Sequence, residues 1–154
     1  MPQKKNSPEQ DAISAAKEVF LPTMRELVRT YQAFFDCSAK NIRELGLTPS
    51  QFDVIATLGN TEGMNMTDLA KKTLVTKGTL TGIIDRLEKK GLVMREVPPE
   101  NRRSFIIFLT LEGEKTFQTV FPAHVSYLKE KFERLSLQEL DDIKQGLITL
   151  RKLF

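Results

Sequence analysis

Three threonines, a lysine and a glycine crowd one short stretch, Thr76-Lys77-Gly78-Thr79-Leu80-Thr81. Hydroxyls both donate and accept hydrogen bonds, an ammonium donates to anions, and glycine removes bulk, so this set suits close approach to phosphate oxygens and the polar edges of bases. It does not suit covalent catalysis, which pairs a nucleophile with an adjacent base. The single histidine, His124, and the single cysteine, Cys37, are far apart in the chain, which leaves neither a metal-ligand cluster nor an internal disulfide. The eight glycines are scattered and spell neither G-x-G-x-x-G nor a P-loop. The expectation is a non-enzyme with no cofactor and no metal.

The elements around that stretch decide how it is presented. Thr76 is placed to cap a helix whose inward side is Leu80, Ile83, Ile84 and Leu87, with Lys90 in its last turn and Gly91 as a stop. The first turn of such a helix offers backbone N–H groups and the positive end of its dipole, which favours phosphate. A shorter helix follows Thr67, with Leu69, Ala70 and Leu74 inward and Asp68, Lys71 and Lys72 outward. Beyond Gly91 the period changes. Leu92–Val97 turns to alternation, Pro98–Arg103 is turn-like, and Ser104–Leu109 is rich in β-formers, which predicts an antiparallel hairpin. Two short helices, a tight turn and a two-stranded hairpin describe a winged helix-turn-helix, in which the second helix enters a major groove.

The flanks are helical. Ser7, Pro8 and Gln10 start a helix whose apolar stripe runs Ile13, Ala16, Phe20, Met24, Leu27, Tyr31, Phe34, Ile42, Leu45, with Ser38 alone breaking it and Pro22 expected to kink or split it. A chain of 154 residues would struggle to cover that stripe from end to end, so a second chain is expected on part of it. Thr48, Pro49 and Gln51 begin another helix, with Phe52, Ile55, Ala56 and Leu58 inward. Thr110 caps a long helix to about Arg134, expected to be interrupted at Pro122, and Ser136 with Glu139 opens the last one. The organisation reads as a dimerisation helix over 1–45, a winged helix-turn-helix over 46–110 and dimerisation helices over 111–154. The fold class is mainly α with a small β-hairpin wing.

Charge agrees with a polyanion partner. The net charge is only +3, yet Met64–Ser104 holds nine basic residues against five acidic ones. A plain solvated face of lysines is the alternative on charge alone. The longest purely apolar run, Phe105–Leu109, is far short of the roughly 20 residues a membrane helix needs. With a polar start and no signal-peptide stretch, a cytoplasmic location and no membrane partner are expected.

Leu45-Gly46-Leu47-Thr48 with Gln51-Phe52, Met66-Thr67-Asp68-Leu69-Ala70, Thr79-Leu80-Thr81 with Asp85-Arg86-Leu87-Glu88, Gly91-Leu92-Val93, Leu109-Thr110-Leu111-Glu112-Gly113 and Pro122-Ala123-His124 together resemble the MarR family of bacterial transcription regulators. The resemblance implies a homodimer held by the terminal helices, reading a pseudo-palindromic operator in double-stranded DNA, often as a repressor relieved by a small molecule or an oxidant. It implies base and phosphate contacts from Thr76, Lys77, Thr79 and Thr81, and backbone phosphate contacts from Thr67 and Lys71. Arg86 fits either a phosphate or a neighbouring acid. In the wing, Arg102 takes the phosphate contact and Arg103 either joins it or supports the wing. Glu100 stands where the family often has an arginine reaching the minor groove, and a carboxylate there is repelled by phosphate. Gly82 likewise replaces a frequent polar residue.

An effector cavity, aromatic-lined and suited to a small aromatic or phenolic ligand, would draw on Tyr31, Phe35, Phe52 and His124, which as core residues need no ligand at all. Cys37 fits either a small buried hydrophobe or a thiol switch of a redox-responsive regulator, Lys40 lying one turn on. A winged-helix module that binds protein instead of DNA stays open, since fold alone does not guarantee DNA contact.

Overall fold

Side chains start the helices and hydrophobes hold them. The computed structural model describes residues 7–73, 75–98 and 105–154. Its elements are α1 (Pro8–Ala15), α2 (Leu21–Glu44), α3 (Pro49–Leu58), β1 (Met64–Asn65), α4 (Met66–Lys72), α5 (Lys77–Lys89), β2 (Val93–Glu96), β3 (Ile106–Leu109), α6 (Leu111–Phe132) and α7 (Leu137–Arg151). The chain divides into two compact units, Met1–Cys37 and Ser38–Phe154. Reciprocal capping boxes open α1, α3 and α7 at Ser7/Gln10, Thr48/Gln51 and Ser136/Glu139.

Within the first unit, α1 buries no residue, and Val19, Phe20, Val28, Tyr31, Phe34 and Phe35 are exposed. The helix of the N-terminal stripe is split, its break over residues 16–20 falling before Pro22, which sits in the first turn of α2 where its missing N–H costs nothing.

The second unit carries the core. Val54, Ile55 and Leu58 of α3, Leu69 of α4, Leu80, Ile83, Ile84 and Leu87 of α5, Val93 and Ile107 of the sheet, and Phe117 and Val120 of α6 are buried together. Each such aliphatic side chain removed from water contributes about 1.5–3 kcal/mol. Val54, absent from the expected inward set of α3, is fully buried, while Phe52 and Ala56 are half-buried.

The hairpin is in fact two strands of three. The sheet order is β1-β3-β2, all antiparallel, with Val93 opposite Leu109, Arg95 opposite Ile107 and Met64 opposite Ile107 on the other side. A two-residue strand shows no alternation in sequence, and only the distant β3 gives it a partner. Asn65, directly after it, caps α4 by accepting from the Asp68 N–H at 2.9 Å, so α4 begins one residue ahead of Thr67. Helix α6 is continuous through Pro122, contrary to the expected interruption. Pro122 and Gln118, whose carbonyl loses its partner, are both exposed, and Phe117, Val120 and His124 anchor the turns around them.

One joint ties the site to the rest of the unit. Past α5 the Leu92 N–H reaches the Leu87 carbonyl at 3.0 Å and the Gly91 N–H reaches Glu88 at 2.9 Å, a Schellman turn needing the positive φ of Gly91 (70°). The Thr110 hydroxyl donates to the Gly91 carbonyl at 2.6 Å and accepts from the Gly113 N–H at 3.0 Å, so one side chain closes α5 and opens α6. Gly113 lies so close to the Leu92 carbonyl that a Cβ would collide with it.

Candidate nucleic-acid interface

Helix α5 is amphipathic, and its two faces have different work. Leu80, Ile83, Ile84 and Leu87 are at most 3% exposed, which fixes the helix against α3, α4 and β2 and turns Thr76, Gly78, Thr79, Thr81 and Arg86 to solvent. Side chains cap α3, α4, α6 and α7, but the Thr76 side chain makes no cap bond and instead shares a 2.9 Å hydrogen bond with the Thr79 hydroxyl. The first turn of α5 therefore points N–H groups and two hydroxyls outward with no side-chain cap across them, an arrangement able to bind an anion.

The other candidate contacts distribute around it. Thr67 and Lys71 are exposed on α4, where Asp68 is engaged by the Asn65 amide at 2.8 Å. Arg86 is exposed, and its Nε donates to the Gly82 carbonyl one turn back at 3.0 Å. The acid beside it, Asp85, is held by a different residue. Arg95 of β2 pairs with Asp85 and, through its other terminal nitrogen, with Glu88 at 3.0 Å. The side chain of Lys77, and all of Leu74, Glu100, Arg102 and Arg103, lie outside the described residues.

A second polar spot sits at the α2–α6 crossing inside the second unit. His124, 5% exposed, places Nδ1 2.8 Å from Asn41 Oδ1 and Nε2 3.1 Å from Ser38 Oγ. With Nδ1–H donating to the Asn41 carbonyl oxygen, Nε2 accepts from the Ser38 hydroxyl, which satisfies a neutral ring. Burial holds this imidazole below its ordinary pKa. Phe52 meets it edge-on at 4.8 Å, and the Phe52, Phe121 and Phe117 rings stack in succession. The sequence left His124 without evident partners. Ser38 was signalled by its interruption of an apolar stripe, whereas Asn41 and Arg95 carried no local signal. Tyr31 and Phe35, one turn apart on α2, stack on each other at 6.0 Å. Cys37 is half-buried. Among the described residues no helix is long and apolar enough to cross a membrane, and no His, Cys, Asp and Glu cluster could hold a metal.

Residues 47–105, from just ahead of α3 to the residue before β3, match the MarR family. The HTH-type transcriptional regulator MhqR of Bacillus subtilis is 30% identical over 115 residues, covering 75% of this chain and 79% of that one. The solved structure of AbsC, a MarR family transcriptional regulator from Streptomyces coelicolor, superposes with a TM-score of 0.77 at 26% identity over 98% of this chain and 97% of that one. Bordetella bronchiseptica BpsR, solved to explain regulation of its DNA binding by 6-hydroxynicotinic acid, gives a TM-score of 0.72 at 26% identity over 86% and 98%. With its winged helix-turn-helix, its strand-and-helix order and these relatives, the chain belongs to the MarR family of transcription regulators.

Proposed function

We propose that this chain is a homodimeric repressor that seats one α5 per protomer in successive major grooves of a pseudo-palindromic operator, about 34 Å apart, in the cytoplasm. The observation that carries the reading is the N-terminus of α5, exposed, without a side-chain cap and edged by Thr76, Thr79 and Thr81, on a helix whose other face is locked in the core. Thr76, Lys77, Thr79 and Thr81 contact phosphates and base edges, Thr67 and Lys71 hold the backbone from α4, Arg86 adds a phosphate contact, and Arg102 and Arg103 do so from the wing. Residues 46–110 form the DNA-binding part, and 1–45 with 111–154 the dimerisation part.

Relief of repression by a small aromatic or phenolic acid is the second element of the proposal. DNA binding of BpsR is regulated by 6-hydroxynicotinic acid, and in this chain Phe52 supplies an aromatic wall backed edge-on by the His124 ring, whose nitrogens are held by Asn41 and Ser38. Such a ligand works by binding the DNA-incompetent dimer better, and DNA then weakens the ligand by the same factor.

The test is a footprint on DNA upstream of the chain's own gene, with and without such acids, beside sedimentation of the protein alone. A protected, two-fold symmetric site lost on ligand addition supports the proposal. A monomer, or no binding to any duplex at low salt, removes it and leaves a protein-interaction module.

A further inference from the structure

Arg95 stands on the core-facing side of β2, in register with Ile107 and two residues from the buried Val93. A cation pointing inward from a sheet needs a partner, and this one finds two, both on α5. One terminal nitrogen binds Asp85 and the other binds Glu88 at 3.0 Å, the two acids lying three residues apart on one side of the helix. All three side chains are partly shielded, at 26, 47 and 39% exposure. Only a guanidinium presents two planar donors in a fixed fork; an ammonium gathers its donors at a single point.

We infer that Arg95 is a positioning residue for sequence recognition, a fork that fixes the angle between α5 and the wing strand without touching DNA itself. The inference rests on the reading that α5 enters the groove. Asp85 lies about 13 Å along the helix from Thr76, at 1.5 Å per residue, so a small rotation about the fork displaces the threonine end sideways. Base-edge hydrogen bonds lose their geometry under such a displacement, whereas phosphate attraction is nearly indifferent to it.

That difference supplies the test. The unaltered protein selects its preferred sequence from a random duplex pool, and affinity is measured for that sequence and for random duplex. Asp85→Asn with Glu88→Gln removes two negative charges from α5, so random-duplex binding tightens or holds, while the ratio of selected to random affinity falls about tenfold. Arg95→Lys keeps the charge and loses the fork, and its ratio falls similarly, with thermal melting showing the variants folded at the assay temperature. A ratio unchanged in both variants overturns the fork. An equal rise in both affinities of the Asp85→Asn, Glu88→Gln protein also overturns it, because charge alone then explains the site. An unaltered protein that prefers no sequence instead overturns the groove reading, and the positioning role with it.

Discussion

Helices α5 and α7 are built from similar materials and end in opposite conditions. Both are amphipathic, with an apolar face at helical spacing. In α5 that face is sealed, with Leu80, Ile83, Ile84 and Leu87 almost inaccessible. In α7 no residue is buried, and Ile143 and Leu147 remain about half exposed at 49% and 52%. The difference separates two sources of order. The placement of α5 is settled by the chain's own core, so its outward face can be held rigid for a ligand. An apolar face like that of α7 is an unfinished contact, which on the proposed reading a second copy completes.

The sharpest way to break this comparison is to damage both faces. Ile84→Ala should cost about 2–5 kcal/mol of unfolding free energy, read from chemical denaturation and independent of protein concentration. Leu147→Asp should leave the fold of the protomer intact and shift the monomer–dimer equilibrium by at least about tenfold, seen by sedimentation, since burying an uncompensated carboxylate costs more than 1.4 kcal/mol. Equal, concentration-independent losses in the two variants would erase the distinction.

Smaller effects refine it. Gly113→Ala forces a methyl toward the Leu92 carbonyl and should destabilise by about 1–3 kcal/mol in denaturation. On the outward side of α5, Thr79→Ala should reduce discrimination between operator and mismatched duplex by about 1 kcal/mol. Lys77→Ala should weaken binding to every sequence and lower the slope of log affinity against log salt by about 0.9. The mildest change concerns His124. Its folded-state pKa is depressed by burial, so the unfolded chain takes up the proton first. Stability is therefore full above an ordinary histidine pKa of about 6.5 and declines as pH falls below it. His124→Gln should flatten the denaturation midpoint between about pH 7.5 and about pH 5.

What the sequence disclosed follows from how local each cause is. Helix α5 is legible because Thr76 and Gly91 flank it and a 3.6-residue stripe fills it, all within one short stretch of chain. The joined helices and the hairpin followed, and with them the family. Strand β1 stayed hidden because two residues carry no period, and its existence depends on Ile106 and Ile107 some forty positions later. The partners of His124 stand 83 and 86 residues away, beyond any spacing rule. In the sequence Arg95 is one positive charge among nine in its stretch, because the acids it grips become its neighbours only after the chain reverses at Gly91. The uninterrupted α6 shows the opposite error, a local rule at Pro122 outweighed by anchoring on either side.

Thr110 joins neighbours that separate connectors would otherwise serve. Because its one oxygen grips the last carbonyl past α5 and the first turn of α6 together, the two rods meet at a single hydroxyl. A shift of the α6 start that preserves both bonds carries the C-terminal end of α5 with it.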